Sequence, residues 1–189
     1  HIFDFGAVTL TNMFVSADKS PEQCSDDMVN YVKQRLEQVE WFKELDPDTQ
    51  LIGVGGSCRN LARIVRKVKK YPLDMVHNYC MDVEDFNYVY NMIRTLDIDK
   101  KRRIKGLSSA RADVFPSALA VIKAFMDHAG FTKIITGGSG LREGVMFNYA
   151  VPQTLEKPIS DVLGYSLKSM ASHMGVNVAH AEQCFNLCV

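Results

Sequence analysis

No CxxC pair occurs in this chain, and its cysteines, at positions 24, 58, 80, 184 and 188, are odd in number. The spacing excludes a zinc ribbon and the odd count speaks against a disulfide framework, so reduced and mostly buried thiols are expected. Charge imbalance is missing as well: 22 Lys and Arg stand against 22 Asp and Glu, which argues against a surface dedicated to a nucleic acid polymer. No run approaches the roughly 18 apolar residues of a membrane helix, and no leader with charged, apolar and small-residue regions opens the chain. A cytoplasmic protein without a membrane partner is expected. The dinucleotide GxGxxG pattern is absent, and so is a Walker A loop with its Lys-Ser/Thr. What remains is 189 residues, 47% hydrophobic and 23% charged, enough for one substantial core or for one domain with an appendage.

Two segments stand out against that ordinary background. Leu51-Ile-Gly-Val-Gly-Gly-Ser-Cys-Arg59 and Lys133-Ile-Ile-Thr-Gly-Gly-Ser-Gly-Leu-Arg-Glu-Gly144 each read as an apolar strand, a Gly-Gly-Ser turn, and an Arg near a helix start. Residues without a Cβ let a ligand approach the backbone, and free N–H groups at a helix N-terminus favour phosphate or other anions. A tight, close-packed turn is the simpler reading of either copy alone.

Hydrophobic periodicity supplies the rest of the organisation. Ile2 to Phe5 reads as a short strand, followed by a brief helix ending near Phe14. Asp18 to Ser25 is a polar entry containing Pro21. Val29, Val32, Leu36 and Val39 form one stripe on a helix expected from about Asp26 to Leu45, with Pro47 ending it. Strands are expected at Gln50 to Val54, Met75 to Tyr79 and Phe131 to Thr136. Helices follow each glycine turn, Asp82 caps another carrying Phe86, Val89 and Ile93, and Asp113 is placed as the N-cap of a helix over Val114 to Ala129, closed by Gly130. Ile159 to Met174 and Val176 to Val189 read as purely helical, with Gly175 between them. Alternating strands and helices imply an α/β domain with at least partly parallel pairing.

In order along the chain, Phe5-Gly-Ala-Val-Thr-Leu-Thr11, Gly53-Val-Gly-Gly-Ser-Cys-Arg59, Arg111-Ala-Asp113 and Gly140-Leu-Arg-Glu-Gly144 resemble the exopolyphosphatase and guanosine pentaphosphate phosphohydrolase family, Ppx/GppA. Ser57 stands where the family usually has Thr, which keeps the hydroxyl. The resemblance implies the ribonuclease-H-like fold of actin, sugar kinases and heat-shock chaperones, with two related α/β domains facing across a phosphate-binding cleft. On this reading residues 1–158 are most of the second domain, lacking its first strands and so leaving a sheet edge open to a second copy. Residues 159–189 would begin a following helical region. The family's first phosphate loop, catalytic glutamate and second phosphate loop precede the segment matched here, so the resemblance places no catalytic residue and no metal ligand in this chain.

What the resemblance implies for the intact protein is hydrolysis of a terminal phosphoanhydride in inorganic polyphosphate or guanosine pentaphosphate, with Mg2+. In this chain it points to Gly55, Gly56 and Ser57, and to Arg59, which either reaches a phosphate or supports the loop. It points also to Arg111, and to Gly137, Gly138, Ser139 and Gly140 as lining. Arg142, beside Glu143, stays open between substrate contact and scaffold. Asp113 needs no substrate, since capping explains it. His77, His128 and His173 are scattered without a carboxylate or nucleophile pattern and read as structural. His180, Cys184 and Cys188 share a helix face but lack a fourth ligand. The basic runs Arg63 to Lys70 and Lys100 to Lys105 are a solvated face in the first case and a possible polyanion-facing stretch in the second. Two other classes fit the same residues: a module that senses guanosine polyphosphates without turnover, and half of a sugar-kinase-like ATPase.

Overall fold

The computed structural model describes residues 1–150 and 161–188, which form two compact units, His1–Gly140 and Leu141–Val189. The expected helix start at Ile159, the domain boundary at 158/159 and Val189 lie outside the described residues.

In the first unit, helices α1 (Ala7–Phe14) and α2 (Pro21–Glu37) precede strand β1 (Leu51–Val54) and helix α3 (Gly56–Val68). Strand β2 (Tyr79–Asp82), helices α4 (Val83–Thr95), α5 (Ile98–Arg102) and α6 (Phe115–Ala129), and strand β3 (Lys133–Gly137) complete it. The sheet runs β1-β3-β2, with β1 parallel to β3 and β2 antiparallel to it. The expected α/β class and partly parallel pairing are therefore present.

Local chemistry explains where the elements start and where expectation missed. Ile2 to Phe5 forms no strand. Its aromatic rings are used for packing: Phe3 stands edge-on to Phe125 at 5.9 Å and Phe5 to Tyr31 at 5.9 Å. Helix α2 begins five residues earlier than Asp26, because Ser20 accepts from the Gln23 N–H while Gln23 accepts from the Ser20 N–H, a capping box with Pro21 in the first turn. It ends at Glu37 well before Pro47, and a 3-10 turn at Glu40–Glu44 follows. The middle strand lies at 79–82 rather than 75–79, since the preceding segment turns at Asn78 (φ 57°). Asp82 does cap α4, accepting from the Asp85 N–H at 2.8 Å. Asp113 does not cap α6: Val114 holds that position in helical geometry, and the Asp113 carboxylate accepts from the adjacent Val114 N–H. Gly130 closes α6 at φ 70° as expected.

The core lies between one face of the sheet and α1, α2, α3, α4 and α6. Leu10, Met28, Leu36, Leu61, Ile64, Met81, Phe86, Ile93, Phe115, Leu119 and Ile134 are all essentially inaccessible. Each such side chain contributes on the order of 1.5–3 kcal/mol of burial energy. Polar contacts, inside that core and at its surface, fix how the helices meet. Thr11 and Ser117 share a 2.6 Å hydrogen bond joining α1 to α6, and Lys33 on α2 pairs with Asp127 on α6 at 2.8 Å. Ser25 on α2 meets the Tyr90 hydroxyl on α4 at 2.9 Å. The other sheet face is open: Ile52 and Val54 on the edge strand β1 are each 59% exposed. Strand alternation puts them opposite the buried Gly53, Ile134 and Thr136.

The second unit contains α7 (Leu141–Ala150), α8 (Val162–His173) and α9 (Val178–Cys188). Asp161 caps α8 by accepting from the Gly164 N–H at 2.8 Å, and α8 and α9 turn at Gly175, φ 68°. Among the described residues no helix is long and apolar enough to cross a membrane.

Candidate functional site

Parallel pairing of β1 with β3 brings the two glycine junctions together. Val54 sits opposite Gly137, so Gly55-Gly56-Ser57 and Gly138-Ser139-Gly140 leave the sheet side by side at the carboxyl ends of neighbouring strands. That end of a parallel strand pair is where ligands bind in open α/β sheets.

The first junction is built for an exposed helix start. Gly55 occupies φ 116°, ψ 179°, a region closed to residues with a Cβ, and serves as N-cap of α3 with no side-chain cap. The first N–H groups of α3, on Gly56, Ser57 and Cys58, therefore lack intrahelical acceptors; the Arg59 N–H is the first to bond back, to the Gly55 carbonyl at 3.1 Å. Over this turn lies the guanidinium of Arg111, an exposed residue. A Cβ built on Gly56 would stand 2.7 Å from its Cζ. The site thus offers a helix dipole, unpaired amides, the Ser57 hydroxyl and a cation at one place. Burial raises the pKa of the Cys58 thiol, against a smaller lowering by Arg59. A raised thiol pKa lowers the thiolate fraction of Cys58 beside the loop.

The second junction is held differently. Arg59, one turn into α3, donates from Nη1 to the Gly138 carbonyl at 2.9 Å. On the other side, the Gly138 N–H donates to His77 Nδ1 at 3.1 Å, and a Cβ on Gly138 would fall 2.7 Å from the His77 Cβ. The Gly138 backbone is thus engaged at both its N–H and its C=O.

Of the residues expected at the site, Gly55, Gly56, Ser57, Arg59, Arg111, Gly137, Gly138, Ser139 and Gly140 come together in the first unit. Arg142 lies on the exposed first turn of α7, in the second unit, next to Glu143. Arg59 was open between phosphate contact and loop support, and one of its nitrogens is committed to the loop. His77, read from sequence as merely scattered, supports the second junction. The antiparallel register explains why: Tyr79 opposite Thr136 carries the turn before β2 back until His77 faces Gly138. Only a known register gives that signal, and the periodicity of residues 75–82 does not contain it.

Among the described residues there is no cluster of three or more His, Cys, Asp or Glu side chains placed to hold a metal ion. The donors around the junctions are cationic or neutral, a set suited to anions and not to Mg2+. On α9, Cys184 Sγ and His180 Nε2 are 3.6 Å apart.

A mixed sheet with its helices packed on one face and its glycine junctions at the strand ends has close relatives among solved structures. A Ppx/GppA family member from Aquifex aeolicus superposes with a TM-score of 0.66 at 20% identity, over 80% of this chain and 48% of that one. An exopolyphosphatase from Cytophaga hutchinsonii gives a TM-score of 0.67 at 24% identity, over 78% and 48%. The fold is accordingly the expected ribonuclease-H-like, actin-like fold. The profile of the Ppx/GppA phosphatase family matches residues 3–152, and the chain belongs to that family. A bifunctional 3-dehydroquinate synthase/phosphatase of Fusobacterium nucleatum is 26% identical over 135 residues, 70% of this chain and 20% of that protein. The chain spans about half the length of these solved structures and a fifth of that curated relative.

Proposed function

We propose that this chain forms one wall of the phosphate-binding cleft of a phosphoanhydride hydrolase acting on inorganic polyphosphate or guanosine pentaphosphate. The observation that carries the proposal is the pairing of an uncapped helix start at Gly55–Ser57 with the guanidinium of Arg111 lying over it. Unpaired amides and a cation at one point match the charge on phosphoryl oxygens, in ground state and transition state alike.

On this reading the wall binds and orients; it does not cleave. Amides of Gly56 and Ser57 and the Ser57 hydroxyl receive phosphate oxygens, Arg111 neutralises charge along the polyanion, and Arg59 keeps the second junction in register with the first. The carboxylate that orients the attacking water is supplied from outside this chain, which alone is expected to be inactive. Magnesium enters as a companion of the substrate phosphates, because the side chains at these junctions are the wrong donors for it. Membership of the phosphatase family, together with the solved exopolyphosphatase relative, supports hydrolysis over the kinase-like and sensor readings.

The test is an assay of the full-length parent with polyphosphate and with guanosine pentaphosphate, with and without Mg2+. Phosphate release that falls on Arg111→Ala mainly through a raised KM is the expected result. Release of ADP from ATP, with polyphosphate inert, would replace the hydrolase reading by the kinase-like one.

A further inference from the structure

We propose that His77 is a positioning residue that locks the second glycine junction, and that it does so only as a neutral imidazole. The Gly138 N–H donates to Nδ1 at 3.1 Å, so Nδ1 is the bare nitrogen and the ring proton sits on Nε2. Steric fit and hydrogen bond act on the same residue. The His77 Cα and Cβ fill the space where a Gly138 side chain would be, at 3.3 and 2.7 Å. The backbone that presents the ring is itself fixed: Asn78 holds φ 57°, its N–H donates to the Thr136 carbonyl at 2.8 Å, and the Tyr79 N–H closes the turn onto Val76. Asn is among the few residues that adopt this conformation readily.

Protonation removes the lock. An imidazolium carries a proton on both nitrogens, leaving no lone pair for the Gly138 N–H and placing two donors against each other. At Gly138 the hold that remains is the Arg59 bond to its carbonyl. The titratable groups that line the same open cavity of about 560 Å3 as His77 are Lys69, Tyr71, Tyr79 and Cys80. Lys69 is tied to Asp85 at 2.7 Å. None of these is placed by a hydrogen bond to take over the Gly138 N–H, whose acceptor is His77. The expected consequence of protonating the ring is a second junction that loosens while the first junction is unaffected. The effect on phosphate binding rests on the function proposed above; the lock itself does not.

Two variants separate acceptor from ring. His77→Asn offers an amide oxygen near the position of Nδ1 and does not titrate; His77→Phe keeps the ring bulk and removes the acceptor. Amide hydrogen exchange of Gly138, corrected for the intrinsic rate at each pH, is read with the imidazole neutral and again, at lower pH, with it protonated, the state of the ring being followed by its own carbon-bound proton shifts. In the unmodified chain the Gly138 amide should exchange roughly 3–10-fold faster, relative to intrinsic, at the lower pH, the effect of losing one hydrogen bond. His77→Asn should keep it protected at both values and His77→Phe at neither. Tripolyphosphate titrated at the higher pH should bind His77→Asn as it binds the unmodified chain and His77→Phe more weakly. Protection independent of pH in the unmodified chain, a measurement needing no variant, overturns the proposal; so does equal protection in His77→Phe. Failure of the unmodified chain to bind tripolyphosphate, with the exchange pattern intact, removes the phosphate reading and upholds the lock.

Discussion

The two Gly-Gly-Ser junctions share a sequence and stand side by side, yet they solve opposite problems. At the first, nothing caps the helix: Gly55 turns the chain through a conformation closed to other residues, and the amides after it are left for a ligand beneath Arg111. At the second, the Gly138 N–H goes to His77 and its carbonyl to Arg59. One junction is kept open and the other is tied down, and Arg59 on the first helix does part of the tying. A shared glycine motif therefore says where backbone comes close to something, not what that something is.

Substitutions that treat the junctions alike should expose the difference. Gly138→Val drives a branched side chain into the His77 Cβ and Cα, which cannot swing away, and should cost on the order of 1–3 kcal/mol in urea unfolding. Gly55→Ala forces a Cβ into the φ 116° conformation, with a similar expected loss of about 1–3 kcal/mol; a loss under half that would mean the turn relaxes to another geometry. Arg59→Ala removes a charged donor from the Gly138 carbonyl and should cost about 1 kcal/mol, discounted for partial exposure. Gly56→Ala is the sharpest contrast. The three atoms nearest its Cβ all belong to the guanidinium end of Arg111, which can move, so unfolding should change by less than about 0.5 kcal/mol while tripolyphosphate affinity falls.

A control away from the junctions is the Lys33–Asp127 contact between α2 and α6. Burial works against the Asp127 carboxylate, but its hydrogen bonds to Lys123 and Lys33 outweigh that and hold its pKa below the usual value. A folded-state pKa lowered in this way contributes stability above the ordinary carboxylate range, lost as pH falls through the depressed value. Asp127→Asn should therefore cost about 0.2–1 kcal/mol at pH 7 and progressively less in acid unfolding experiments, with no effect on either junction.

Sequence patterning carried much of this fold. The strands before the two junctions, Asp82 as a helix cap and Gly130 as a helix end were legible because each depends on neighbours close in the chain. The misses share a cause of a different kind. Ile2 to Phe5 has strand composition, but its rings found aromatic partners on α2 and α6. Asp113 looked like a cap, and the helix begins one residue later than that, with Val114 at the cap and Phe115 as its first residue. His77 needed the β2–β3 register before it meant anything. Arg111 over Gly56 and Arg59 on Gly138 were expected as site residues from resemblance, while the division of labour between them required coordinates.

The central claim is that the first junction is the anion site and the second its support. An amide-resolved NMR titration of the chain with tripolyphosphate tests it most directly. The account predicts the largest shifts at Gly56, Ser57 and the Arg111 side chain, with the Gly138 amide moving little because it stays on His77. Shifts confined to the Lys and Arg side of α3 and to α5, with Gly56 and Ser57 still, would contradict it.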